Sequence, residues 1–390
     1  MELVSSSVVL PRGGAVDAES RPRYRADVDG LRAIAILSVV LYHARLPLFD
    51  GGFVGVDVFF VISGYLIGGI VYRDVSRGRY SFGTFYVRRA RRILPALLAM
   101  MLATAALALA LLPPDDLRSF AKSAAAALFG SANIRFWALT HYFGIDWRQD
   151  PLVMTWSLGV EEQFYLFLPP LMLVLHRFAP RSIVPAIALL SFASMALSVR
   201  LTETQPSAAF YLLPGRAWEL GIGVLAALWQ EHRRGAIGRR MAEPVGVVGL
   251  AAVLLAIVTF EERTHFPGIA ALLPTLGTAA LIVAEPGWIN RTLLAAAPMR
   301  FVGLISYSWY LWHWPVMVFT RVAVGSELSA ATVALVVLVS FAAAVLSWRF
   351  VEQPFRRRSA APNGRVLLRY AAALLGCLMV ARICYLAAGP

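Results

Sequence analysis

Arg32 and His43 are ionisable residues in the first apolar stretch of the chain, eleven positions apart. Eleven residues make three helical turns, so both side chains would lie on one side of a helix, ~16 Å apart along its axis. Histidine can act as a general base near neutral pH, and ionisable groups in apolar segments often have a function. The alternative is structural: His43 bonds a backbone carbonyl group, and Arg32 extends to the membrane interface.

A second polar group, Glu161, Glu162, Gln163 and Tyr165, interrupts an apolar stretch near the middle of the chain. Ser157, Glu161 and Tyr165 have the spacing of one helical face, and Glu162 would point about a quarter-turn away. Two adjacent carboxyl groups in such a stretch are hard to explain by packing. A functional interpretation of the glutamate pair is therefore favoured over a structural one.

Four arginines, Arg88, Arg89, Arg91 and Arg92, precede the third apolar stretch. Arg88, Arg91 and Arg92 would share a helical face, because they occupy positions i, i+3 and i+4. Guanidinium groups so placed bind phosphates with paired hydrogen bonds. On spacing alone, however, ordinary positive charge flanking a membrane helix is the favoured explanation.

Four more polar residues lie in apolar stretches, and each has a structural alternative. Asp57 lies at a depth where it could orient His43, although an ion pair with an arginine is slightly favoured. Arg216 and Glu219 are three residues apart and could simply neutralise each other. His313 stands in an aromatic-rich segment, where a lone histidine is more often a satisfied structural group than a catalyst.

The composition favours a membrane protein: 59% of the 390 residues are hydrophobic and 15% are charged. The hydrophobic residues fall into eleven blocks of a length that can cross a bilayer as helices. The predicted spans are 30–46, 53–72, 93–112, 155–175, 183–199, 211–229, 245–260, 268–284, 301–321, 330–348 and 366–386. Cys377 and Cys384 indicate neither a disulfide framework nor a metal site. The predicted fold is therefore an all-α polytopic membrane protein.

Basic residues predict the orientation of this bundle. With the N-terminus inside and 117–137 uncrossed, 25 of the 36 basic residues lie on the inside. This arrangement makes 113–154 an external loop with an interfacial or re-entrant helix, and places the C-terminus outside. Residues 1–25 form a predicted disordered tail with no cleaved signal peptide. The net charge of +13 then reflects cationic internal loops rather than nucleic-acid binding.

Several strings, in this order, resemble the acyltransferase-3 family of membrane O-acyltransferases, roughly from Asp27 to Arg357. They are DGLRAIAILSVVLYH, GGFVGVDVFFVISGYLI, FYVRRARRILP, TWSLGVEEQFYLFLP, FYLLPGRAWELGIG, SYSWYLWHWP and VEQPFR. The resemblance implies an enzyme of the bacterial inner membrane that moves an acyl group, usually acetyl from acetyl-CoA, without a metal. The implied acceptor is a hydroxyl of a cell-surface or lipid-linked glycan, such as O-antigen or exopolysaccharide.

The resemblance also suggests roles for the polar residues. Arg32 and His43 match the family's arginine–histidine motif, and Glu161 and Glu162 match its Glu-Glu-Gln motif, so these four are the candidate catalytic residues. The arginine motif implicated in the acyl donor corresponds to Arg88, Arg89, Arg91 and Arg92. The candidate substrate-binding residues are Asp57, Tyr165, Arg216, Glu219 and His313.

These roles suggest a mechanism that begins on the cytoplasmic side of the membrane. The arginines there would bind the phosphates of the donor, and its pantetheine arm would reach up between the helices to His43. His43 would then deprotonate the acceptor hydroxyl. Transfer through a covalent acyl-histidine stays open as an alternative.

The strings TWSLGVEEQFY and VEQPFR resemble variants that carry an extra helix followed by a secreted SGNH-type domain. Here 26–358 would be the acyltransferase domain and 359–390 the extra helix with a short tail, with no SGNH-type domain before Pro390. Either the chain is then a membrane-only member of the family, or a separate extracytoplasmic transferase is a partner that supplies the second step. Membrane lipids are further expected partners. Other interpretations are an acyltransferase for a small secreted metabolite, a transporter of glycan precursors and a structural scaffold. No inverted repeat supports the transporter, and the scaffold leaves the glutamate pair unexplained.

Overall fold

All secondary structure is helical in the computed structural model, which describes residues 24–140, 149–233, 237–325, 327–356 and 362–389. No strand occurs within these ranges, as the sequence predicts. The α-helices are α1 (Ala26–His43), α2 (Gly55–Ser76), α3 (Phe82–Leu111), α4 (Pro114–Leu128), α5 (Ala132–Leu139), α6 (Thr155–Phe178), α7 (Ile183–Thr204), α8 (Pro206–Tyr211), α9 (Leu213–Arg233), α10 (Arg239–Thr259), α11 (Leu272–Val283), α12 (Ala297–Val324), α13 (Ala330–Leu346), α14 (Gln353–Arg356) and α15 (Asn363–Ala387).

Seven helical segments among the described residues are long and apolar enough to cross a membrane. They are Gly52–Ser76, Phe82–Leu111, Thr155–Phe178, Pro180–Thr204, Arg239–Thr259, Ala330–Arg356 and Asn363–Ala387. The chain is therefore a polytopic integral membrane protein. The other four predicted spans coincide with helices α1, α9, α11 and α12. Because these helices are shorter or more polar than the seven, the total of eleven crossings remains a prediction.

The segment predicted to stay on one side of the membrane contains two short helices, α4 and α5. Gly130 separates them, with a backbone φ of 64° that glycine adopts without strain. The 15 residues of α4 extend only ~22 Å, less than the ~30 Å of a hydrocarbon core. Neither helix therefore has the length of a membrane span. Residues 141–148 of this loop lie outside the described residues.

Helices α2 and α9 pack closely against each other. A Cβ atom added to Gly64 would lie 1.9 Å from the carbonyl oxygen of Leu220, and one added to Gly223 would lie 2.1 Å from that of Val61. These glycines therefore let the two backbones touch. α1 packs along α12 in the same bundle.

Helices α1, α2, α3, α6 and α12 surround the interior of the bundle, where the polar residues converge. α15 lies at the periphery and packs on α3 and α4. Only 17% of its most apolar 18-residue stretch is buried. Large apolar side chains such as Phe192 and Leu368 are exposed on the outside, where lipid would cover them. The predicted disordered tail, apart from Tyr24 and Arg25, lies outside the described residues, as does the domain boundary near residue 358.

Candidate active site

A cavity between five helices collects several of the polar residues identified in the sequence; we call it the central cavity. Its polar lining comes from α1, α2, α3, α6 and α12. These residues are Arg32, Ser63, Arg89, Arg92, Thr155, Ser157, Glu161, Tyr165, Ser306, Tyr307 and Tyr310. The predicted shared face of Ser157, Glu161 and Tyr165 is thus turned towards one interior space.

Three arginines meet in the central cavity, but they are not the three that share a face by simple spacing. Arg89 and Arg92 line the cavity beside Arg32, whereas Arg88 is half exposed, with Asp74 3.9 Å away. Arg91 is also absent from the lining. The rotation of α3 about its axis directs Arg89 and Arg92 towards α1 and α6. It does not direct the whole set of Arg88, Arg91 and Arg92 there. Spacing gives relative directions within a helix but not the rotation of that helix in the bundle.

The two glutamates point to different surroundings. Glu161 accepts hydrogen bonds from Ser63 Oγ at 2.9 Å and from the Tyr165 hydroxyl at 2.8 Å, inside the central cavity. The carboxylate of Glu162 lies against Gly130, and Glu162 does not line the cavity. Of the pair, Glu161 is therefore the residue that lines the central cavity.

Gln163 has a structural setting. Its Nε2 donates to the backbone oxygen of Gly130 at 3.0 Å and to Asn133 Oδ1 at 2.8 Å. These bonds tie the α4–α5 turn to α6. The Glu-Glu-Gln string therefore combines one residue of the cavity with two that pack against the loop.

His43 lies at the C-terminal end of α1 and contacts a second histidine. His313 Nε2 is 3.2 Å from His43 Nδ1, and the two rings stack with centroids 5.2 Å apart. Trp314 packs edge-on against His43, with ring centroids 4.9 Å apart. From the sequence, His313 was predicted to be an isolated histidine. Nothing in its own segment indicates a partner 270 residues earlier in the chain.

His43 does not line the central cavity with Arg32, Arg89 and Arg92; it lines a second space. We call this space the outer groove; it runs between the end of α1 and helices α12 and α13, and is lined by residues including His43, Arg45, Trp309, Arg321 and Phe341. Its walls are mainly apolar. Arg45 and Arg321 bring two positive charges to the groove.

Tyr310 and His313 stand between the central cavity and His43. Tyr310 lines the cavity, and its ring centroid lies 5.5 Å from that of His313, which in turn bonds His43. The Tyr310 hydroxyl shares a 2.8 Å hydrogen bond with Ser157 and donates to the backbone oxygen of Met154 at 3.1 Å. Within the described residues, the expected passage from the arginines to His43 is therefore interrupted at Tyr310.

Asp57, Arg216 and Glu219 form a separate buried cluster. Arg216 lies 3.1 Å from Asp57 and 3.2 Å from Glu219, and all three side chains are at most 1% exposed. The Arg216 guanidinium also lies within 6.0 Å of four aromatic ring centroids. None of the three lines the central cavity or the outer groove. This is the ion-pair arrangement that was the structural alternative for each of them, and it links α2 to α9.

The sequence analysis did not predict some of the residues that line the cavity and the groove. Ser63, Tyr307, Tyr310, Arg45 and Arg321 were not identified. Tyr310 was detectable in retrospect, because it lies three residues before His313 and so on the same side of a helix. Among the described residues, no group of three or more His, Cys, Asp or Glu side chains could hold a metal ion.

Comparison with known proteins agrees with the resemblance drawn from the motifs. The acyltransferase-3 family model, described as an acyltransferase domain, matches residues 25–349. The chain is 30% identical to O-acetyltransferase OatA of Staphylococcus aureus over 354 residues, which cover 86% of this chain and 58% of that protein. It is also 30% identical to peptidoglycan O-acetyltransferase OatA of Listeria monocytogenes over 355 residues, which cover 86% of this chain and 56% of that protein. The chain thus spans little more than half the length of these relatives, and no solved structure matches it. Because the family match extends over most of its length, the chain belongs to the acyltransferase-3 family.

Proposed function

We propose that this protein is a membrane O-acetyltransferase that moves an acetyl group from acetyl-CoA to a hydroxyl of a cell-surface glycan. One observation carries the proposal: Arg32, Arg89 and Arg92 converge with Glu161 in a cavity between membrane helices. Arginines are costly in such a setting unless a partner balances them. Among the described ion pairs, neither Arg89 nor Arg92 has a carboxylate partner, which leaves them available for an anionic ligand.

The positive charge of this cavity suits the phosphates of the donor. Phosphate oxygens of coenzyme A would accept paired hydrogen bonds from the guanidinium groups. The flexible pantetheine arm would then extend along α1 towards Tyr310. Glu161, held by Ser63 and Tyr165, is placed to accept a hydrogen bond from an amide N–H of this arm.

His43 is the proposed general base. It takes the proton of the acceptor hydroxyl, whose oxygen attacks the thioester carbonyl carbon. The carbon–sulfur bond breaks, the coenzyme A thiolate leaves, and the proton held by His43 is available to that thiolate. The Tyr310 side chain has to rotate away from Ser157 for the thioester to reach His43, because Tyr310 closes the cavity on that side.

The acceptor would approach His43 through the outer groove. Basic residues concentrate around the arginine end of α3, so this end is proposed to lie in the cytoplasm and the outer groove on the external side. Cell-surface glycans are found on that side of a bacterial inner membrane. Of these, peptidoglycan is the first candidate, because a relative is named as a peptidoglycan O-acetyltransferase.

The proposal is tested with the purified protein, radiolabelled acetyl-CoA and peptidoglycan fragments. We expect His43→Ala to lower acetyl transfer at least ~100-fold, the contribution of a general base. Binding of coenzyme A should be unchanged, because the arginines lie in the other cavity. His265→Ala, which removes an exposed histidine, is the matched control and should keep the wild-type rate. A wild-type rate in His43→Ala would exclude His43 from the reaction.

A further inference from the structure

The hydrogen bonds of His313 determine which of its nitrogens carries a proton. Its Nδ1 lies 2.7 Å from the backbone oxygen of Tyr310 and 3.2 Å from that of Trp309. Carbonyl oxygens only accept hydrogen bonds, so Nδ1 of His313 has to carry the hydrogen. A neutral imidazole has one N–H group, and its other nitrogen is therefore an acceptor.

His313 is neutral in this setting for a physical reason. It is 1% exposed, and no carboxylate forms an ion pair with it among the described residues. Burying an uncompensated positive charge there would cost far more than keeping the ring neutral. Nε2 of His313 thus presents a lone pair to its neighbour.

That neighbour is Nδ1 of His43, 3.2 Å away. A hydrogen bond to a lone pair requires a donor, so Nδ1 of His43 carries the hydrogen. Nε2 of His43 is then the nitrogen with a free lone pair. The His43 ring has one further partner, the backbone of Val39 one turn earlier, and a carbonyl oxygen there likewise requires a ring N–H. In water, by contrast, a free histidine places its proton more often on Nε2.

We propose that His313 is a positioning residue that holds His43 in the tautomer whose Nε2 accepts the proton of the acceptor hydroxyl. This inference rests on the proposed function, in which His43 is the general base. The proton chain runs in one direction, from His43 Nδ1–H to His313 Nε2 and from His313 Nδ1–H to the α12 backbone. Because His313 bonds its own helix, the ring cannot rotate without losing these bonds. In histidine chemistry generally, the hydrogen bond made by one ring nitrogen determines whether the other nitrogen carries a proton.

Two substitutions of His313 test this role. His313→Gln keeps an amide oxygen that can accept from His43, whereas His313→Leu removes the acceptor and keeps much of the volume. We expect His313→Leu to lower kcat about 100-fold or more, with coenzyme A affinity and the acceptor KM little changed, since a base held in the wrong tautomer has been seen to lose up to ~10⁴-fold. His313→Gln should recover most of this loss. Equal losses in both variants would overturn the proposal, as would a normal kcat in His313→Leu.

Nitrogen NMR of histidine-labelled protein provides a readout independent of activity. The His43 signals are identified by their loss in His43→Ala. We expect a protonated Nδ1 and a bare Nε2 in the wild type and in His313→Gln, and a proton on Nε2 in His313→Leu. A proton on Nε2 of His43 in the wild type would contradict the inference. If His43→Ala kept full activity, the proposed function would fail instead, while the spectra would still report whether His313 sets the tautomer.

Discussion

Four arginines in one turn and a half of α3 differ in what they can bind. Arg89 and Arg92 line the central cavity beside Arg32, while Arg88 is half exposed and Arg91 is outside the lining. Spacing alone favoured ordinary flanking charge for this string, and only the family resemblance implied an anion site, which stays a prediction. The direction of each side chain depended on how α3 is rotated against α1 and α6, which its own sequence does not specify.

This division leads to a matched comparison of two double variants. Arg89→Ala with Arg92→Ala should weaken coenzyme A binding ~100-fold or more, because hydrogen bonds to charged groups contribute about 1.5–3 kcal/mol each. Arg88→Ala with Arg91→Ala removes the same charge outside the cavity and should change the dissociation constant less than threefold. Isothermal titration with coenzyme A measures both. If the two double variants weakened coenzyme A binding equally, the arginines would act only as ordinary positive charge flanking a membrane helix.

Prediction at the residue level succeeded where one helix was sufficient. The spacing of Ser157, Glu161 and Tyr165 on α6 correctly placed them on one face and turned Glu162 away. It did not succeed for His313, because the contact with His43 joins two helices far apart in the sequence. Contacts of that kind depend on the packing of α1 against α12.

Helices were predictable because each apolar block is long and bounded by charge or turn residues. All eleven predicted spans coincide with helices, and the ambiguous 117–137 stretch forms the short α4 and α5. α1 and α9 carry ionisable residues that line the central cavity or pair with one another. Arg216 and Glu219 of α9, for example, pair inside the bundle.

Close helix contact yields a prediction about stability. Gly223→Ala should lower the apparent unfolding temperature in detergent, because its Cβ would lie 2.1 Å from the Val61 carbonyl oxygen and force α9 away from α2. Overpacking of this kind costs about 1–3 kcal/mol. Gly376→Ala on the peripheral α15 is the control: its Cβ meets nothing within 4 Å, so stability should be unchanged or slightly higher. A wild-type unfolding temperature for Gly223→Ala would show that the α2–α9 contact tolerates a side chain.

In the proposed reaction, donor and acceptor bind at different places along the bundle. The arginines of the central cavity lie at one end of α1 and His43 at the other, ~16 Å further along the helix axis. Charge asymmetry in the sequence predicted the two ends. The interruption at Tyr310 could not be predicted, because it depends on one side chain bonded to Ser157 across two helices.

Sidedness of the reaction is the most direct test of this arrangement. The protein is reconstituted into vesicles, and Arg77→Cys, in the exposed turn between α2 and α3, reports with an impermeant maleimide which way the arginine end faces. Cys377 and Cys384 are buried and should not react. Labelled acetyl-CoA is then supplied on one side only, with peptidoglycan fragments on the other. We predict that label reaches the acceptor when acetyl-CoA is on the side of Arg77, and not in the reverse arrangement. Equal transfer in both arrangements by protein of one orientation would contradict donor entry at the arginine end and chemistry at His43.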